Sequence, residues 1–277
     1  MRCGVSASET HRTDRLSQGD GADFTQRIPA GTLTAMATLK KKKSALPEQA
    51  RREEGTRAPR PRDAATLIIY RLKGRQVEVL MGQRHRSHKF LPQRYVFPGG
   101  RVDPTDSRVR AGTPMRGDVA DLLMRTATPA RARALMAAAV RETFEEAGLV
   151  IGVSDPEPGK LVPGNWKPFF DRGLAPSFEH INYVARAVTP HWRTIRFNAR
   201  FFMVDHRHVS GDLAGSGELL DLTYVPLPET ADLELSLVTL RVLELVEDLA
   251  LNPPVPGQKR HVINFHHNGK SHDPLPE

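Results

Sequence analysis

The stretch RETFEEAGL, from Arg141 to Leu149, decides how the rest of this chain is read. At helical spacing, Glu142, Glu145 and Glu146 fall within an arc of about 100°, so three carboxylates can converge on one point. Like charges held that close need a cation between them. Hard divalent ions are bound through a few carboxylates plus the phosphates of a substrate, which makes this face a candidate metal centre for phosphate chemistry. Gly148 ends the helix, and the apolar run Leu149, Val150, Ile151 reads as the strand after it.

Working outward, small and apolar residues at Leu135, Met136, Ala139 and Val140 extend the helix back to about Ala130 and give it a face to pack on a sheet. Ala64 to Arg71 and Gln76 to Arg84 are β-rich runs joined at Lys73 and Gly74, a hairpin. YVFPGGRVDPTDS, from Tyr95 to Ser107, ends a strand in a Gly-Gly turn. Further strands are expected at Asn182 to Ala187, Ala199 to Val204 and Leu219 to Pro226. A long helix is expected from about Glu229 to Leu251, with Leu235, Val238, Val242, Leu245, Val246 and Leu249 as its buried stripe.

Taken together, FPGG and the glutamate segment resemble the Nudix hydrolases, whose signature is Gly, five residues, Glu, seven residues, then Arg-Glu-x-x-Glu-Glu-x-Gly. Gly100 fits the opening glycine, and Arg141, Glu142, Glu145, Glu146 and Gly148 fit the second half. The first half departs from the pattern. Counting forward puts Asp106 in the place of the first Glu, with 34 residues between it and Arg141 instead of seven; counting back puts Arg133 there. Residues 107–130 therefore read as an insertion, with a short helix possible at Val119, Leu122, Leu123 and Met124. QRHRSHKFLPQRYVFPGG, from Gln83 to Gly100, looks like a loose coenzyme A signature: Arg84 and Lys89 fit its basic positions, and Gln93 stands where that pattern has Gly. TPHWRTIRFNARFFMVD, from Thr189 to Asp205, is similar to a segment of the peroxisomal coenzyme A diphosphatase-like Nudix proteins, which also carry an insertion in their Nudix box.

The resemblance implies an α/β fold, a Nudix-like α/β/α sandwich with a mixed β-sheet, and a diphosphatase dependent on Mg²⁺ or Mn²⁺. Coenzyme A or an acyl derivative is the favoured substrate, with ADP-ribose, a nucleotide sugar or a non-catalytic nucleotide-binding role as alternatives. Glu145 and Glu146 are first-choice metal ligands, and Glu142 is a ligand or the group that orients and deprotonates water. The resemblance adds the Gly100 carbonyl as a metal contact. Glu218, in GELLDLTYVPL, is an extra ligand or base, or else a solvent-facing residue. Arg141 orients the glutamates. Arg84 and Lys89 are contacts to substrate phosphates, or else exposed strand-end cations.

Composition bounds the rest. The 277 residues carry a formal net charge of +8, but residues 1–62 hold 13 Lys and Arg against 7 Asp and Glu, so most of the excess lies in that arm and no basic face for nucleic acid is expected. The arm reads as disordered, with Met36 a candidate start. A single cysteine, Cys3, excludes an internal disulfide and points to a reducing, cytoplasmic setting. No apolar run is long enough to span a bilayer. The expected organisation is an arm at 1–62, one catalytic domain at 63–252, and a flexible tail at 253–277 whose His261, His266, His267 and His272 are more simply polar than metal-binding.

Overall fold

The computed structural model describes residues 53, 55–88, 90–155, 164–258, 260–267 and 272–277. Lys89, Met36 and the arm up to residue 52 lie outside the described residues. In chain order the elements are β1 (Arg62–Lys73), β2 (Gln76–Arg84), β3 (Tyr95–Val96), β4 (Gly99–Arg101), α1 (Gly117–Met124), α2 (Pro129–Ala147) and β5 (Gly152–Ser154). They continue with α3 (Lys167–Phe170), β6 (Leu174–Pro176), β7 (Asn182–Val188), β8 (Phe197–Asp205), β9 (Leu219–Pro226), α4 (Leu237–Leu251), β10 (Ile263–His267) and β11 (His272–Pro276).

Nine strands form one mixed sheet in the order β11-β10-β7-β8-β1-β2-β3, with β4 also on β1 and β9 also on β2. β1 lies at its centre. It runs parallel to β8 from Arg62↔Phe197 to Tyr70↔Asp205 and antiparallel to β2. Because side chains alternate along a strand, β1 feeds two cores. Leu67 and Ile69 pack with Leu135, Met136 and Val140 of α2, while Ile68 and Tyr70 pack with Val242 and Val246 of α4. The result is the α/β/α sandwich with a mixed sheet. Among the described residues, no helix is long and apolar enough to cross a membrane.

α2 has explicit ends. Thr128 caps it by accepting a hydrogen bond from the Arg131 amide at 3.3 Å, Pro129 occupies the first turn, and Gly148 closes it at φ 72. That left-handed close is why the glutamate turn stops where it does.

Two expectations change. The last helix begins at Leu237 and not near Glu229, because prolines 226 and 228 favour a 3-10 turn over Leu227–Asp232 and Ser236 then caps the helix through the Thr239 amide. The segment after residue 252 is not simply a flexible tail: β10 pairs in parallel with β7, from Ile263↔Ala185 to His266↔Val188, and β11 pairs with β10. The sheet thus extends beyond the expected boundary at residue 252. Residues 107–130 contain the short helix α1, as their apolar pattern allowed, and its Val119, Leu122 and Leu123 are buried against the α2 side of the sheet.

Candidate active site

Arg141 is the hub of the site. Its guanidinium is buried and makes five hydrogen bonds: Nε and Nη2 to the two Asp106 carboxylate oxygens at 3.0 and 3.1 Å, Nη1 to Glu142 at 2.8 Å and Glu145 at 3.0 Å, and Nη2 to the Arg101 carbonyl at 3.0 Å. The planar fork suits this task, since two parallel N–H bonds to one carboxylate fix orientation as well as charge. Asp106 is itself fully enclosed. It also accepts from the Trp166 indole N–H at 2.9 Å and the Asp103 amide at 2.8 Å. Forward counting from Gly100 therefore finds the geometric partner of Arg141. Arg133, the alternative, is not among its partners. Trp166 was not anticipated: it lies 60 residues from Asp106, and no local pattern marks it.

The glutamate face meets the strand that carries the Gly-Gly turn. β4 lies antiparallel to β1, with Ala65 opposite Gly100 and Thr66 opposite Gly99. Gly99 donates its amide to Glu146 at 2.8 Å. A Cβ at Gly100 would fall on the Glu142 carboxylate, and one at Gly99 would come within 2.6 Å of the Ala65 carbonyl oxygen. Both glycines are therefore required by close approach, and the Gly100 backbone stands against the carboxylates.

The three glutamates differ in exposure and protonation. Glu146 is buried, and burial pushes its carboxyl up to about 8, with the Gly99 hydrogen bond opposing and the Glu142 charge adding to the rise. Glu142 is raised mainly by burial, against the opposing pull of Arg141. Glu145, 42% exposed at its side chain, is raised by the same two opposed effects, with smaller contributions from Asp106 and Glu218. One arginine does not neutralise this face.

Glu218 precedes β9 in an exposed loop, and its charge is felt at both Glu145 and Glu146. The Ser216 amide reaches the Glu146 carbonyl at 3.4 Å, so α2 and the Glu218 loop are joined directly. Arg84, at the end of β2, donates through Nη1 to the Phe90 carbonyl at 3.3 Å, and its buried Nε has no partner among the described residues. Glu142, Glu146, Glu218, Gly100 and Arg84 all line one cleft of about 1940 Å³.

Among the described residues, no three His, Cys, Asp or Glu side chains close a metal cage by themselves. The donor set still suits a hard divalent ion, because Mg²⁺ commonly takes one or two carboxylates and completes its shell with water and substrate phosphates. Buried carboxylates, the Gly100 backbone held against them in a cradle that a Cβ would fill, and an open cleft are what such a site requires.

No family model matches the chain, and no curated protein matches it. A Nudix hydrolase from Alicyclobacillus acidocaldarius is similar in structure, with a TM-score of 0.54 and 26% sequence identity, over 72% of this chain and 99% of that one. The fold is that of the Nudix hydrolases. More distant Nudix structures include RenU from M. smegmatis, at TM-score 0.39 and 16% identity over 76% of this chain and 98% of that one. Another is the Nudix domain of NrtR from Shewanella oneidensis, solved with ADP ribose, at TM-score 0.40 and 12% identity over 69% of this chain and 90% of that one. Nudix hydrolases act on phosphoric anhydride bonds and generally use divalent metal ions, and on that fold this chain sets Glu142, Glu145 and Glu146 along α2.

Proposed function

We propose that the protein is a Mg²⁺- or Mn²⁺-dependent diphosphatase that cleaves coenzyme A or acyl-coenzyme A, giving phosphopantetheine or its acyl form and adenosine 3′,5′-bisphosphate. It works in the cytoplasm as one catalytic domain on a small-molecule substrate, without nucleic acid or membrane. The observation that carries the hydrolase reading is the Arg141 hub: one buried arginine bonds Asp106, Glu142 and Glu145, while Glu146 is fixed separately by Gly99. A protein that only bound nucleotides would not need so many buried carboxylates.

A divalent ion held there would supply charge neutralisation at the phosphate oxygens and make the attacking water more acidic. Glu145, Glu146 and the Gly100 carbonyl would hold it, with Glu218 as a further ligand or base. Glu142 is a third ligand or orients the attacking water. Arg141 keeps Glu142 and Glu145 in place and so removes their reorientation from the reaction. Arg84 and Lys89 meet the substrate phosphates. The diphosphate bond is broken by water, one oxygen entering at phosphorus as the other phosphate leaves.

The coenzyme A reading draws support from Gln93. It stands where the coenzyme A signature has glycine and adopts φ 58, the left-handed conformation that glycine takes without strain. The backbone at that position has the form a glycine would permit even though the residue has changed. A metal-supplemented hydrolysis screen over coenzyme A, acyl-coenzyme A, ADP-ribose and nucleotide sugars tests the whole reading. Coenzyme A compounds should show the highest kcat/KM. Turnover of ADP-ribose with coenzyme A untouched would refute the substrate assignment, and no turnover of any diphosphate would refute the enzyme.

A further inference from the structure

The face of the sheet beneath α4 carries a row of unusually small side chains. Register places Arg101 of β4 opposite Ala64 of β1, Ala64 beside Ala199 of β8, and Ala199 opposite Ala187 of β7. On β8 the same-face neighbours of Ala199 are Phe197 and Phe201, so its methyl group is the bottom of a trough between two rings. Phe90 stands edge-on to Phe197, with ring centroids 5.0 Å apart, and raises that wall. Alanines under a helix usually let it pack closer. Here all three line the same cleft as Glu142 and Glu146, with Ala64 and Ala187 each 8% exposed and Ala199 more so, so the trough borders the cavity that reaches the carboxylate site.

The chemistry of the trough selects its occupant. Its floor is methyl groups on inner strands, whose backbone donors and acceptors are used by the sheet. Of the hydroxyls lining the cleft, Ser236 and Thr239 bond each other at 2.8 Å and Thr189 accepts from the Phe197 amide at 3.0 Å. A nucleobase lying here would leave ring nitrogens unpaired at a real cost, whereas a narrow aliphatic chain loses little. From Arg101 to Ala187 the row crosses three strand spacings, about 14 Å, the length of an extended arm and not of a single ring. The Arg101 side chain, at the end nearest Gly100, has no hydrogen-bonding or ion-pair partner among the described residues, while its carbonyl accepts from Arg141, and it stands where a phosphate would join such an arm.

We propose that this alanine-floored trough is the subsite for a narrow aliphatic arm carried by the diphosphate substrate, with Ala199 and Ala187 as specificity-determining residues. The inference deepens the coenzyme A reading and rests on it for the identity of the arm, pantetheine.

Two product-like probes separate the halves of the substrate without turnover: 4′-phosphopantetheine for the arm and ADP for the nucleotide. Titration calorimetry with Mg²⁺ present would compare the parent protein with Ala199→Leu, and with Ala199→Val should the leucine variant fail to fold. The expected result is a loss on the order of tenfold for 4′-phosphopantetheine, with ADP affinity unchanged, since a bulkier wall excludes by size. Equal weakening of both probes, or unchanged 4′-phosphopantetheine binding in a folded variant, overturns the trough. The functional reading fails separately, if the parent binds 4′-phosphopantetheine in this Ala199-dependent way yet does not hydrolyse coenzyme A.

Discussion

Asp106 is acceptor to both Arg141 and Trp166 in a fully enclosed position, so its removal strands a buried cation. Breaking a buried pair from one side costs about 3–5 kcal/mol, far above an ordinary surface change. Asp106→Ala should therefore lower the unfolding free energy measured in urea by about that amount and also reduce kcat, because Arg141 would no longer hold Glu142 and Glu145 in register; an unfolding free energy within error of the parent would show that Arg141 is secured by other contacts. Gln93 makes the opposite case. Its left-handed backbone is strained for any residue with a Cβ, so Gln93→Gly should stabilise by about 0.5–1 kcal/mol in the same denaturation assay. A loss of stability there would mean that the exposed glutamine side chain contributes more than its backbone costs. Of these two residues, counting along the signature reached Asp106 from one end and Arg133 from the other, since spacing along a chain does not say which residue is returned to the helix when 34 residues stand in place of seven. Burial and the Trp166 bond distinguish them, and both are long-range facts.

At the scale of elements, α2 was legible because its apolar stripe, Gly148 and the glutamates all act over neighbouring turns. Its C-terminus also organises a loop the sequence did not connect to it. Ala214 donates its amide to the Ala147 carbonyl at 3.0 Å, and Ser216 reaches Glu146, bringing the chain round to Glu218. A Cβ at Gly148 would meet the Asp212 carbonyl oxygen and the Ala214 Cβ, each at 3.0 Å, in addition to the strain of φ 72. Gly148→Ala should thus cost more than the ~1 kcal/mol of a simple left-handed position and should raise KM or lower kcat through the displaced Glu218 loop. Thermal melting and steady-state kinetics on one preparation check both halves; a destabilised variant with parental kinetics would detach Glu218 from the reaction. The start of α4 and the strands after residue 252 were not legible. A helical stripe beginning at Leu235 does not reveal that Ser236 is the cap, and β10 exists because β7 offers it an edge some 80 residues earlier in the chain.

For the whole molecule, the uncompensated carboxylates make stability depend jointly on pH and metal. Glu146 has its carboxyl raised to about 8 by burial, against 4.5 for an exposed carboxyl, so the metal-free folded state holds a proton that the unfolded chain releases. That contribution is fully present below about pH 4.5 and is lost as pH rises through about 8. Protein in EDTA should therefore melt several degrees lower at about pH 8.5 than at about pH 6. Mg²⁺ binds the deprotonated carboxylates of the folded state, and its stabilisation grows with free concentration, so saturating Mg²⁺ should flatten or reverse that trend. Glu146→Gln cannot release this proton. Its melting temperature in EDTA should lose most of the dependence between those two pH values, and its response to Mg²⁺ should shrink together with turnover. Scanning calorimetry over both proteins, with and without metal, measures all four limbs. A slope in EDTA that persists undiminished in Glu146→Gln would place the controlling proton on another group, and a metal response equal to the parent's would remove Glu146 from the ligand set.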